Sequence, residues 1–298
     1  MANTRTTKRP TSTTGAAWVN PMDNPEQANA EIAKVLSEVA QSDMPTIDFP
    51  PDDTVTLPGG LVIKDQLIKT VQVKELTGAD EESLAKASQS MNPYIFLDRL
   101  LKCGVVKIGS EPSSNLEKLL SQMLVGDREA LILGIRRATY GDQIEINDWI
   151  CPSCGTKEEL TMEIDDIPVV KMSDPLNEIS FKVNLRKGGF ANVSLATGSD
   201  QIATFEKSEL TQAQRETVLL SKCVTSITDT AGREHSVAGF PSLVRNMSVP
   251  DRHAILKELN DRQPGPKYNQ INYKCGSCDE DVMLTVTIGN LFLDFGWI

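Results

Sequence analysis

The sequence predicts an α+β protein made of two tandem homologous units, and three observations carry that reading. First, the turn Thr77-Gly78-Ala79-Asp80 recurs 120 positions later as Thr197-Gly198-Ser199-Asp200. Second, a longer series holds at an offset of 124: Leu119 to Leu243, Met123 to Met247, Val125 to Val249, Asp127-Arg128 to Asp251-Arg252, Leu131 to Ile255, Ile135 to Leu259 and Gly141 to Gly265. Self-similarity held in one register over such a span marks a duplicated structural unit. Third, helical spacing and strand alternation mix without the βαβ rhythm of a parallel sheet. The units are expected over 47–170 and 179–298, with 171–178 as a linker, and homologous units of this kind usually pack about a pseudo-twofold axis.

Composition narrows the class. The 298 residues are 40% hydrophobic and 24% charged, ordinary globular material. Asp plus Glu outnumber Lys plus Arg by 41 to 30, a net charge of −11, so the field of the whole molecule repels phosphates and argues against a nucleic-acid binder. No apolar run reaches the length of a membrane span and the N-terminus lacks the apolar core of a secretory signal, so a cytosolic protein with no membrane partner is expected. In that compartment six cysteines point to metal ligands or buried thiols before disulfides.

Along the chain, residues 1–46 read as a flexible N-terminal arm. Residues 1–24 are rich in Thr, with Arg5, Lys8 and Arg9 and no acid before Asp23. Such a segment buries too little surface to offset the entropy of ordering. Within the arm, Ile32, Val35, Leu36 and Val39 fall at helical spacing and predict an amphipathic helix over 25–41, with Asn24 as N-cap. Residues 45–60 hold several prolines and end in Leu57-Pro58-Gly59-Gly60, extended chain and turn. Each unit then runs strand or hairpin, helix, loop, helix, Cys-x-x-Cys turn and strand. The last strand alternates in both: Leu160, Met162, Ile164 against Leu284, Val286, Ile288. Gly141 and Gly265 are expected as C-caps of the second helices, and Asp127 and Asp251 as their N-caps, with Arg128 and Arg252 on the outer face. Cys103 and Cys223, 120 apart at expected helix ends, read as buried structural thiols. The apolar segment Leu291-Phe292-Leu293-Asp294-Phe295-Gly296-Trp297-Ile298 closes the core of the second unit or enters a partner.

The chemistry-bearing motif is Cys151-Pro152-Ser153-Cys154-Gly155, repeated as Cys275-Gly276-Ser277-Cys278, with Trp149 and Tyr273 two places before the first cysteine of each. A two-residue spacer lets one tight turn aim two sulfurs at one ion, and two such turns supply the four soft ligands that structural Zn²⁺ takes. From Cys154 to Cys275 is 121 positions, far beyond a compact finger. The duplication accounts for that gap. If the turns lie near the axis relating the units, Cys151, Cys154, Cys275 and Cys278 bind one structural Zn²⁺ per chain as a zinc-ribbon-like joint. The alternative is that each pair stays apart, empty or as a local disulfide. No phosphate-binding loop, His-Glu-x-x-His helix or Gly-x-Ser-x-Gly elbow occurs, and His235 and His253 have no neighbouring nucleophile, so no enzyme is expected.

The order of several pieces resembles a known family. They are Leu57-Pro58-Gly59-Gly60, Val73-Lys74-Glu75-Leu76-Thr77-Gly78 followed by Glu81-Glu82, Leu97 to Leu101, Leu124-Val125-Gly126-Asp127-Arg128-Glu129, Ile135-Arg136-Arg137-Ala138-Thr139-Tyr140-Gly141 and Cys151-Pro152-Ser153-Cys154-Gly155. In these the first unit resembles the baseplate proteins of T-even-type contractile-tailed bacteriophages, described as hub subunits or hub assembly proteins. The second copy is degenerate, with Gln263-Pro264 in place of Thr139-Tyr140. The resemblance implies a structural or assembly protein of the tail baseplate hub, contacting hub, tube and wedge proteins in an oligomeric assembly. It implies a place in the virion tail, and in the host cytoplasm during assembly. The competing reading is a zinc-ribbon regulator that binds nucleic acid.

Overall fold

The computed structural model describes residues 53–292, apart from 65, 91, 207, 208 and 239, together with Asn29, Ala33 and Lys34. Those three are helical and exposed; the remainder of the helix expected over 25–41 lies outside the described residues. The body is a mixture of helices and antiparallel sheets, the α+β class the sequence predicts.

The chain enters a hairpin of β1 (Asp53–Ile63) and β2 (Gln66–Val73). The register of this hairpin jumps between Thr56 and Leu61. There Leu57-Pro58-Gly59-Gly60 bulges out: Pro58 has no N–H for the ladder, and Gly60 takes the positive φ of 90° that glycine adopts cheaply. Then come α1 (Gly78–Ser88), α2 (Pro93–Gly104), β3 (Val105–Ile108), α3 (Leu116–Gln122) and α4 (Val125–Tyr140), followed by a ribbon of β4 (Gln143–Ile150) and β5 (Lys157–Glu163). After β6 (Val169–Val170) and α5 (Pro175–Glu178) a similar order returns. It comprises β7 (Ser180–Asn184), β8 (Phe190–Ser194), α6 (Gly198–Thr204), α7 (Gln212–Cys223), β9 (Val224–Thr228), β10 (Glu234–Ser236), α8 (Ser242–Arg245) and α9 (Val249–Arg262). Short β11 (Gly265–Pro266) leads to a second ribbon, β12 (Ile271–Lys274) with β13 (Asp281–Leu284), and α10 (Ile288–Phe292).

Local chemistry explains why the same residue types recur. The repeated Thr-Gly-x-Asp turns are capping boxes. Asp80 accepts from the Thr77 backbone N–H at 3.0 Å and starts α1; Asp200 accepts from that of Thr197 at 2.9 Å and starts α6. The sheets have the orders β1-β2-β3 and β10-β9-β8-β7, and the register shifts at Gln72/Val73 in β2 and at Asn192/Val193 in β8. Helix α2 hands over to β3 where Val105 N–H donates to Leu101, and α7 to β9 where Val224 N–H donates to Leu220. These junctions are 119 apart, so Cys223 matches Gly104 in place, and Cys103 falls one residue out of the expected register. Burial pushes the Cys223 thiol up to about 12 and the Cys103 thiol up to about 11, as suits inert thiols.

Helix α4 departs most from expectation. Its N-cap position is Leu124, which offers no capping side chain, so Asp127 sits three residues inside. Asp127 is wholly buried, and its carboxylate accepts from Gly59 N–H at 2.7 Å and Gly60 N–H at 3.0 Å, 68 and 67 positions away. Arg128 is likewise buried, donating to Leu120 O at 2.8 Å and pairing with Asp98 at 3.3 Å, not on an outer face. The first amides of α4 are met from the far end of the chain. With its oxygen turned toward them, the Gln263 carboxamide accepts from Val125 and Gly126 at 3.0 and 3.1 Å. A Cβ on Gly126 would lie 1.5 Å from Pro264 O, so only glycine fits there. Gly141 does cap α4, with φ 79° and its N–H on Arg137 O. Gly265 does not cap α9, whose C-cap is Gln263; Gly265 stands in β11 against Gly126. In α9 the N-cap is Ser248, and Asp251 accepts from the Arg186 N–H at 2.7 Å.

Two main apolar clusters form, and each borrows from the other half of the sequence. The larger is built on residues 57–167, with Ile271, Leu284, Val286, Leu291 and Phe292 added from the C-terminal end. Phe292 meets Tyr140 edge-to-face at 6.4 Å. The described part of the apolar C-terminal segment thus packs with the first stretch of chain and not with the second; residues 293–298 lie outside the described residues. The other cluster, built on residues 183–259, takes in Leu124 and Met172. The segment 171–178 is held down: Met172 is buried and its N–H donates to Pro58 O at 2.9 Å.

Replacing Asp127 by Ala is expected to strand two buried amides and cost ~3 kcal/mol, read as a lowered denaturation midpoint; Asp127→Asn, which keeps one acceptor, should cost less. Glu129 offers a pH test, because burial pushes its carboxyl up to about 7. With the folded pKa above the unfolded one, folding takes up a proton between about pH 4.5 and 7, so that contribution falls away as pH rises through the window. Denaturation midpoints at about pH 5 and 7.5 should therefore differ less in Glu129→Gln than in the parent chain.

Candidate metal centre

The two Cys-x-x-Cys turns close the tips of the two ribbons. In the first, Gly155 N–H donates to Cys151 O and Cys151 N–H to Thr156 O, both at 2.9 Å. In the second, Asp279 N–H donates to Cys275 O and Cys275 N–H to Glu280 O, both at 3.0 Å. Each turn needs a left-handed residue after its second cysteine, and Gly155 (φ 73°) and Asp279 (φ 65°) supply it. Ribbon tips thus built present two sulfurs on one side.

The four sulfurs converge. Cys151, Cys154, Cys275 and Cys278 have sulfur atoms all within 4.8 Å of one another. Cys151 Sγ lies 3.9 Å from Cys278 Sγ and Cys154 Sγ lies 3.9 Å from Cys275 Sγ, so the first cysteine of each turn faces the second of the other. A tetrahedron with metal–sulfur bonds of ~2.3 Å has edges of about 3.8 Å, whereas a disulfide brings sulfurs to about 2.05 Å. The donor set and spacing fit a tetrahedral ion, and these four cysteines can hold one. The arrangement excludes the expectation that each pair stays apart.

Neighbouring groups complete the site. Cys151 and Cys275 are buried with Val282, while Cys154 and Cys278 are exposed. Trp149 and Tyr273 meet edge-to-face at 5.3 Å and 79°, packing one ribbon on the other beneath the sulfurs. Glu158 of β5 reaches across: it accepts from Ser277 Oγ at 2.7 Å and Tyr273 OH at 3.1 Å, and lies 3.4 Å from Cys275 Sγ. The Ser277 hydroxyl, foremost among its partners, holds the Glu158 carboxyl below its ordinary value. Cys154 Sγ lies 3.3 Å from Thr156 Oγ1, and that hydroxyl is the main cause that brings its thiol down to about 6. Burial pushes the Cys275 thiol up to about 12. Sequence reasoning missed Glu158 and Ser277, because their partners lie well over a hundred residues away and no local pattern marks them.

Other sequence candidates serve elsewhere. His235 lies 3.3 Å from Asp229 in the middle of β10 and His253 is exposed on α9, both remote from the cysteines in the chain. The Arg136-Arg137 pair, the best basic cluster for nucleic acid, is already engaged. Arg136 is buried, donating to Gly141 O and Gln143 O, and Arg137 pairs with Asp142 and Asp165 at 2.5 Å. Among the described residues no helix is long and apolar enough to cross a membrane.

A family model described as T4 bacteriophage base plate protein matches residues 56–293. No curated protein matches the chain, and no solved structure does. The match takes in both Cys-x-x-Cys turns and every strand but the start of β1, well beyond the first-unit pieces that carry the resemblance in the sequence. Such a family places a protein in the phage tail, in contact with other tail proteins. By that match across most of its length, the chain belongs to the T4 bacteriophage base plate protein family.

Proposed function

We propose that this chain is a structural or assembly subunit of the baseplate hub, in which one zinc ion held by Cys151, Cys154, Cys275 and Cys278 staples two homologous units together. The observation that carries the reading is the meeting of two turns 121 positions apart on four sulfurs at tetrahedral spacing, in a chain of the baseplate family. Four thiolates in a tetrahedron favour zinc among biological cations, with iron as the other candidate. They leave no open coordination position, so the metal acts on shape and not on substrate.

The division into 47–170 and 179–298 about a pseudo-twofold axis is supported by recurring details. The capping boxes, the register shifts in β2 and β8 and the ribbon tips all recur. So does the aspartate at the third position of the long helices. Asp127 binds amides of the β1 bulge and Asp251 an amide of the β7–β8 loop, so each fastens its helix to its own hairpin. In this reading the zinc fixes the angle between the halves, and the arm at 1–46 and segment 293–298 supply contacts to hub, tube and wedge proteins. Assembly takes place in the host cytoplasm and the finished position is the tail baseplate.

Elemental analysis of purified protein is expected to give about one zinc per chain and no visible absorbance; iron with visible absorbance would reassign the metal, and no metal would end the staple. Structural zinc contributes on the order of 10 kcal/mol to the element it closes, so Cys275→Ser should lose the ion and the cooperativity of melting together. Mass spectrometry of purified virions tests the place of the chain. A stoichiometric ratio to known baseplate subunits is expected, and absence from intact particles leaves an assembly role in its stead.

A further inference from the structure

A cavity of ≈ 290 Å³ lies beside the start of α4, and remote parts of the chain share its walls. Leu97 of α2, Val125 and Ile132 of α4 and Val286 give it aliphatic sides. Val286 N–H donates to Tyr268 O at 2.9 Å, which holds the two C-terminal pieces of wall together. Tyr94 and Tyr268 add two phenol rings, and Gln201 of α6 and the exposed Thr287 complete this side. Small-molecule sites run from about 300 to 1,000 Å³, so a cavity at the low end suits a short ligand or one long side chain.

Glu129 of α4 is the unmatched group in this lining. Its backbone carbonyl accepts from Tyr268 OH at 3.3 Å, but among the described residues no hydrogen bond or ion pair reaches its carboxylate. That carboxylate lies near both rings: burial first, and then its charge, push the Tyr94 and Tyr268 phenols up from their ordinary value. The cations close by are committed elsewhere. Arg128, also in the lining, donates to Leu120 O and pairs with Asp98, and Lys267 Nζ donates to Asn260 O and Gln263 O at 3.2 and 3.0 Å. At the matching position of the second copy, 124 residues on, stands the exposed His253, so the repeated helix does not itself require a carboxylate there. A buried carboxylate without a partner calls for a proton or a cation. A metal ion asks for several ligands, and among the described residues the four cysteines are the only group that offers them. The cation that a single carboxylate between two aromatic rings and aliphatic walls fits is an organic one.

We propose that this cavity binds a primary ammonium group on a four-carbon aliphatic stem, the chemistry of a lysine side chain or of a free alkylamine. The ammonium pairs with Glu129 between the Tyr94 and Tyr268 rings, and the stem lies against Leu97, Ile132 and Val286. The carboxylate selects the charge and the aliphatic sides select the stem. Because the walls come from α2, α4, α6 and the stretch 268–287, an occupant ties these parts together and stabilises the body. The inference goes beyond the hub and zinc readings and rests on neither.

The test is a calorimetric titration of the purified full-length chain with n-butylammonium at slightly alkaline pH. For so small a ligand a Kd on the order of 1 mM is expected, with butanol and butyrate weaker by about tenfold or more. Glu129→Gln should weaken butylammonium by about tenfold or more while the metal content and the cooperativity of melting match the parent. Should that variant fail to fold, the parent chain decides through pH. The cation binds the ionised carboxylate, which burial raises to about 7, so affinity should climb as pH rises from about 6 to about 8. The other titratable groups around the cavity are Arg128, Lys267, Tyr94 and Tyr268, residue types that ordinarily titrate well above that range. Chain purified from infected cells separates the two sources, and either result supports the proposal. Release of a free alkylamine on denaturation assigns a small molecule, and carbodiimide coupling of Glu129 to a lysine of another tail protein assigns a neighbouring chain. Absence of butylammonium binding overturns the proposal, as does butanol binding equally well, or an affinity indifferent to pH and to Glu129→Gln.

Discussion

The buried start of α4 is the constraint on which the body depends. Four amides at a helix N-terminus must find acceptors, and Leu124 provides no side chain for them. The chain meets the need from remote places: the Gln263 carboxamide serves Val125 and Gly126, while the Asp127 carboxylate is held by the bulge at Gly59 and Gly60. Val125 N–H itself also reaches Ala196 O, and Gly198 N–H reaches Met123 O. Stretches near positions 60, 125, 197 and 264 are thereby locked at one point, where Gly59, Gly126 and Gly265 approach too closely for side chains. Removing any one of them strands polar groups at the start of the helix that anchors the larger core.

The cysteine cluster is a second joint between the same partners. Ribbon tips that present two sulfurs each are made locally, by two-residue spacers and left-handed residues at Gly155 and Asp279. Their meeting is not local: it follows from the packing of Trp149 on Tyr273 and from Glu158 bridging to Ser277. With the sulfurs crossed, first cysteine to second, an ion held by all four would be shared by both ribbons.

Much of this is legible in the sequence, and the failures have a common cause. Strand alternation at Leu160 and Met162 and the cysteine turns depend on near neighbours, and spacing displays them; the recurring Thr-Gly-x-Asp pieces read only as turns, and the helices they start, α1 and α6, appear in the structure. Asp127 and Arg128 read wrongly as cap and outer face because a charged pair opening an amphipathic helix ordinarily faces water. Their partners, Gly59, Gly60, Leu120 and Asp98, belong to other elements. Gly265 reads wrongly as a cap because glycine after a helix ordinarily is one; here its missing side chain admits the backbone of Gly126. The displaced register of Cys103 and Cys223 arises because the whole of α7 stands 119 positions after α2, the stretch from the start of α6 to the start of α7 being one residue shorter than its counterpart.

On the zinc-staple reading, the wide separation of the cysteine pairs also bears on biosynthesis. At about 5–20 residues per second, roughly 6–24 s pass between the making of Cys154 and of Cys275. Throughout that interval the first pair is an open two-sulfur chelate, able to hold an ion only loosely. The second pair is made just before β13 and α10, so on this reading the ion can be enclosed only once the second ribbon exists. A chain that stops before its last ribbon carries only two of the four sulfurs, so on this reading metal retention reports that both ribbons have been made and have met.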